Sequence, residues 1–97
     1  MYGTIARMKV KPGALDALKR LGGEQSGQNI KGYVGQYVYQ MDDDPNELYL
    51  VVLFDSKESY QANADSPDQD ARFRELMQHM AAEPEWHDGE VVFSHQA

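Results

Sequence analysis

His79, His87 and His95 are the side chains here best able to move a proton near neutral pH, and they stand eight residues apart. On a helix, His79 in "MQHMA" has Glu75 four residues before it and Glu83 four after, so all three share one face. A His between two carboxylates holds its proton more readily than a free one. At a pocket mouth it would serve as a base. The simpler reading is a solvated helix face. His87 lies in "EPEWHDGEVV", residues 83–92, directly after Trp86, the single Trp of the chain. Asp88 follows, but neighbours in an extended segment point to opposite sides, so these two make no His–Asp pair. Trp86 reads first as a plug between a helix end and a sheet, or as a reach to a partner subunit. Its second reading, with His87, is the rim of a pocket. His95, near the terminus, carries little weight.

Other chemistries find little support. Three His on different elements supply no converging set of three or four ligands, so no metal is expected. There is no Cys, which removes disulfides and thiolate catalysis. Gly22-Gly23 is not followed by a helix start with Lys, as a phosphate loop would require. "HDG" and "ADSP" hold no nucleophilic Ser arrangement. Net charge is −7, from 9 basic and 16 acidic residues, which argues against nucleic acid or anionic membrane as a partner. No stretch approaches the roughly 20 apolar residues of a membrane span, and "MYGTIARMKV" lacks a signal-like apolar run. With 97 residues, 41% of them apolar, the expectation is one cytoplasmic domain over 1–97 with a modest core.

The elements follow from periodicity. Residues 2–10 alternate, with Tyr2, Thr4, Ala6, Met8 and Val10 on one face and Ile5 and the Arg7 stem on the other. Pro12 suits a first helical turn. Ala14, Leu15, Leu18 and Leu21 form a stripe that Gly22-Gly23 stops, and "EQSGQNIK", 24–31, reads as a loop. A strand over 32–40 places Tyr33, Tyr37 and Tyr39 on one face. A stacking platform for a planar ligand would use them, but a packed sheet face is the simpler account. "MDDDPNE", 41–47, is a solvated hairpin tip. "LYLVVLF", 48–54, is apolar on both faces: Tyr49, Val51 and Leu53 one way, Leu50, Val52 and Phe54 the other. Ser56 caps a second helix, with Ser59 three residues on. Ser66-Pro67 breaks and restarts it. Phe73, Leu76, Met77 and Met80 make its apolar stripe until Pro84 ends it. Residues 90–95, "EVVFSH", are the last strand, with Gly89 permitting a turn before it. The order β-α-β-β-α-β is the split βαβ, a ferredoxin-like α+β subunit with a four-stranded antiparallel sheet and both helices on one face. The other face is apolar, which predicts a homodimer through sheet faces.

Three stretches, "YGTIARMKVKPG", "LVVLFDSKESYQANADSP" and "PEWHDGEVV", resemble the antibiotic biosynthesis monooxygenase superfamily of dimeric α+β barrels. The resemblance spans nearly the whole chain. It implies a substrate pocket between sheet and helices in each subunit. It also implies cofactor-independent oxidation of a small electron-rich aromatic, hydroquinone or polyketide, by O2. The polyketide oxygenases use a Trp, an Asn, a Tyr and an Arg. Here the Tyr falls on Tyr60 and the Arg on Arg74 in "RFREL", while Leu50 and Phe54 occupy the Asn and Trp positions. In the haem-degrading branch the Trp position falls near Asn63 and the ligand His near Phe73, so haem breakdown is not expected. Tyr60 would hydrogen-bond a substrate phenol or carbonyl. Arg74 would stabilise developing negative charge, and otherwise would be an exposed charge beside Asp70 and Glu75. His79 or His87 would be the base, with Phe54, Phe73 and Met77 as walls. The implied ligand is small and apolar or aromatic. The other reading is a stress-related or binding protein that holds such a ligand without turning it over, and the loss of the Asn and Trp partners favours it.

Overall fold

The computed structural model describes residues 1–26 and 29–97. The order is β1 (Tyr2–Lys9), α1 (Leu15–Ser26), β2 (Tyr33–Gln40), β3 (Glu47–Phe54), α2 (Lys57–Ala64), α3 (Pro67–Met77) and β4 (Glu85–Glu90). The strands form one sheet in the order β2-β3-β1-β4, and every pairing is antiparallel. This is the ferredoxin-like α+β subunit that the periodicity predicts. Among the described residues no helix is long and apolar enough to cross a membrane.

Alternation on β1 buries Thr4, Ala6 and Met8 and leaves Ile5 52% exposed. The core lies on that buried side. Ala6, Met8, Val10, Ala14, Leu48 and Met80 are shut from solvent, with Leu15, Leu18, Leu50, Leu76 and Met77 packed against them. All three helices therefore sit on one face. The expected helix break is present as drawn. The Ser56 side chain accepts from the Ser59 N–H, and the Ser66 side chain accepts from the Gln69 N–H with Pro67 at the start of α3.

Five local expectations are corrected. Pro12 is not in a helix: with Gly13, at φ +82°, it turns the chain ahead of Leu15. Gly22-Gly23 does not stop α1, which runs on to Ser26; of the expected loop at 24–31, residues 27 and 28 lie outside the described residues. A helical Gly costs only about 1 kcal/mol relative to Ala, and here it has a use. The Gln36 side chain donates to the Gly22 carbonyl at 3.3 Å, so a bare backbone lets β2 meet the helix. Tyr33 does not share a face with Tyr37 and Tyr39. A bulge between Tyr33 and Gly35 reverses the alternation and turns Tyr33 onto Phe54, ring centroids 5.7 Å apart. α3 ends at Met77, so His79 and Glu83 lie beyond it and the Glu75–His79–Glu83 face does not form. Lastly, β4 covers Glu85–Glu90 rather than 90–95. β1 sets that span: Arg7 pairs with Glu85 and Tyr2 with Glu90. One further bond, Val91 N–H to the Met1 carbonyl at 2.8 Å, uses up the partner strand. Val92 and Phe93 then stand 90% and 84% exposed. Gly89 sits within the strand, with no positive φ.

Candidate functional site

A cavity of about 360 Å³ lies between the sheet and the helices. That is room for a small organic ligand. Its floor is the helix-side row of the central strands: Thr4 and Met8 of β1, and Leu50, Val52 and Phe54 of β3. Gln36 and Val38 of β2 close one flank and Trp86 of β4 the other. Leu18 and Leu21 of α1, with Phe73 and Leu76 of α3, form the roof. Polar atoms enter from Tyr60, Asn63, Gln69 and Arg72, and Glu24 and Asp70 add charge.

The strand period explains the β4 contribution. Trp86 pairs with Ala6 and Asp88 with Thr4, so both look toward the helices. Trp86 meets Phe73 at 6.2 Å between centroids and ties α3 to the edge strand while lining the cavity. It is therefore both clasp and wall. His87 pairs with Ile5 on the opposite face, where its Nε2 lies 3.2 Å from Glu85.

Tyr60 descends from the second turn of α2. Its ring is held edge-on by Tyr2 at 5.3 Å and Phe54 at 5.8 Å. Its hydroxyl donates to Asp88 Oδ1 at 2.9 Å. Burial, then the bond to and charge of Asp88, push the phenol up to about 12. The nearby Thr4 side chain pulls the other way, by less. Thr4 is 5% exposed, and its Oγ1 makes no hydrogen bond of proper geometry to any described group.

Across the α2–α3 break, Asn63 Nδ2 donates to Gln69 Oε1 at 3.4 Å. Arg72 donates to that same oxygen at 3.1 and 3.2 Å, and to Asn63 Oδ1 at 3.5 Å. The capped break at Ser66 thus sets a guanidinium in the cavity wall. Of the residues singled out in the sequence, Tyr60, Leu50, Phe54, Asn63, Phe73 and Trp86 converge on the cavity. Four do not. Arg74 points away, 77% exposed, ion-paired with Asp70 at 2.6 Å; Arg72, two residues earlier on the helix, takes the wall. His79 sits past the end of α3, where its main chain bonds Lys11 and Leu76. Met77 packs into the core. His87 faces the other side of the sheet. Thr4, Asp88, Gln69 and Arg72 were missed. Thr4 was readable from the β1 alternation; Asp88 required knowing where β4 lies. Among the described residues no three His, Asp or Glu side chains converge as a metal site would need.

Several solved structures share this fold. A Nitrosomonas europaea protein described as an antibiotic biosynthesis monooxygenase superposes with a TM-score of 0.75 at 22% identity, over 96% of this chain and 100% of its own. One of the same description from Caulobacter crescentus CB15 reaches a TM-score of 0.80 at 15% identity, over 95% and 90%. A third, from Chloroflexus aurantiacus J-10-fl, has a TM-score of 0.77 at 27% identity, over 98% and 96%. No curated protein is significantly similar to the chain in sequence. Residues 1–75 match the family described as antibiotic biosynthesis monooxygenase, and they carry the whole cavity floor, Tyr60 and Arg72; the chain belongs to that family.

Proposed function

We propose that the protein is a cofactor-independent monooxygenase that oxidises a small electron-rich aromatic of the hydroquinone or polyketide type with O2. The observation that carries this reading is an apolar cavity of aromatic-ligand size with a positioned phenol, Tyr60, in its wall, in a chain of this family. The apolar floor and the rings of Phe54, Phe73 and Trp86 offer a planar ring a surface to pack on. For a substrate with an activated CH2, the steps balance without another reductant. The carbon gives its proton to solvent, and the carbanion gives one electron to O2. The radical pair then joins as a peroxide, which takes up a proton and loses water to leave a carbonyl. Overall, one CH2 and one O2 become one C=O and one H2O. Tyr60 orients the substrate oxygen. Arg72, in the wall, replaces Arg74 as the charge that steadies the anion.

The assembly proposed with it is a homodimer through the uncovered sheet face. Ile5, Tyr37 and Tyr39 stand 52%, 62% and 56% exposed there beside Val51 and Leu53. One observation favours the second reading, a binding protein without turnover: the sheet floor offers Leu50 and Phe54 where the polyketide oxygenases carry polar partners. Oxygen uptake by metal-stripped protein against hydroquinones, anthrones and catechols separates the two. Chelator-insensitive uptake above a heat-killed control, reduced in Tyr60→Phe, supports the oxygenase. A raised melting temperature with the same compounds and no uptake assigns the protein to binding alone.

A further inference from the structure

We propose that a second, polar cleft, which shares Asn63 and Arg72 with the cavity wall, is a binding site for an oxyanion: a carboxylate, sulfate or phosphate group. The cleft measures about 470 Å³ and lies where residues 29–31, ahead of β2, meet α2 and the start of α3. Lys31, Ser59, Ser66 and Asp68 line it and take no part in the cavity. Both hydroxyls use their oxygen as an acceptor. Ser59 Oγ takes the Ser56 hydroxyl at 3.1 Å, and Ser66 Oγ takes the Gln69 N–H at 3.1 Å. Each keeps its own proton to give. The Arg72 guanidinium is held in place by bonds to Gln69 Oε1 and Asn63 Oδ1, neither of which carries charge. Lys31 differs from Arg7, Lys9, Arg20 and Arg74, each of which holds a carboxylate within 4 Å; among the described residues Lys31 has none so close. Two cations and two hydroxyl donors thus face one opposing charge, Asp68, which is exposed and well screened. That balance suits an anion, because charge-assisted bonds to it are the strong ones. A metal cation would find a single carboxylate in this lining. The net charge of −7 opposes an anion only from a distance, and physiological salt screens that repulsion over about 8 Å.

The test is amide NMR of the full chain titrated with sodium sulfate and with sodium acetate, against sodium chloride at matched ionic strength. Saturable shifts centred on Lys31, Ser59, Asn63 and Ser66 are expected with sulfate or acetate and not with chloride. Lys31→Gln should weaken this binding about threefold to tenfold, the range for one charge contact at a partly exposed site. Asp68→Asn should tighten it about threefold, because the opposing charge is removed. Asp68 stands in the first turn of α3, where a carboxylate stabilises a helix, so a gain in affinity there cannot come from a firmer fold. Asp43→Asn, the same change of charge at the exposed hairpin tip, should leave the affinity unaltered. Shifts that rise without saturating, match those of chloride or gather elsewhere overturn the site. So does an equal gain from Asp43→Asn, which would reduce the attraction to net charge alone.

Discussion

On β3, Leu48 and Phe54 are shut from solvent, while Tyr49, Val51 and Leu53 look out from the other face of the same strand. The two faces differ less in residue type than in what covers them. The helix side is closed by Leu15, Leu18, Leu76 and Met77, except where side chains stop short and leave the cavity. Among the described residues no helix covers the open side. Its apolar rows from β1, β2 and β3 run into a charged border where Arg7 bonds Glu47 at 2.8 Å and Lys9 bonds Asp44 at 2.7 Å and Glu47 at 3.0 Å. One face is thus a core with a hole in it. The other is an apolar patch with a polar rim, the anatomy of an association surface. The proposed roles divide the same way: a ligand on the covered face, a second copy on the open one.

The sharpest test of this contrast is truncation on each side of β3. Leu48→Ala should cost about 2–5 kcal/mol in chemical denaturation at any protein concentration, because it leaves a cavity in a packed core. Val51→Ala, three residues on, should act mainly by weakening association, so that its cost depends on concentration. Matching, concentration-independent losses at both sites would erase the distinction.

Next in size is Gly32→Ala at the seam between β2 and α2. Gly32 holds φ at +79°, and an added Cβ would run into Ser59 and Asp55, beside the bond from Asp55 N–H to its carbonyl. A loss of at least about 1 kcal/mol is expected. An unchanged unfolding midpoint would mean that the seam does not hold the covered face in place.

On the open side, Tyr37→Glu should shift the protein toward monomer by sedimentation while ligand binding in the cavity persists. An unaltered sedimentation profile would show that this face is not where copies meet.

The smallest effect is the charged border. The bonds from Arg7 and then Lys9 hold the Glu47 carboxyl below its ordinary range; the Lys9 bond does the same to Asp44, with help from the Asn46 N–H. Their folded pKa values lie below the unfolded ones. Their contribution is present above the unfolded pKa and is lost as pH falls through the folded one, so the melting temperature should drop below about pH 4. The matching rise at Lys9 and Arg7 keeps their contribution intact until above about pH 10. These groups are exposed, so the effect should be small and weaken with salt. Glu47→Gln should flatten the acid limb of the melting curve; a limb of unchanged slope would assign the loss elsewhere.

Local signals in the chain were enough to write down the element order, the caps at Ser56 and Ser66-Pro67, and the two-faced character of β1 and β3. Each of these depends on residues a few positions apart, through alternation, helical stripes or a side chain reaching its own main chain. Leu50, Phe54, Tyr60, Asn63 and Phe73 were legible as cavity residues through the family resemblance, since the same elements converge in the same order. What depends on pairing was not legible. "VVF" has better strand residues than "EWHDGE", yet β4 is the latter, because β1 has no partners left to offer beyond Met1. That single fact sends Asp88 to Tyr60 and His87 to the far face. The bulge that turns Tyr33 inward, and the two-residue choice of Arg72 over Arg74, likewise follow from how β2 lies on β3 and how α3 leaves its cap. Period and propensity act along the chain, whereas strand register and helix rotation are set across it by partners distant in sequence, and only the tertiary structure decides those.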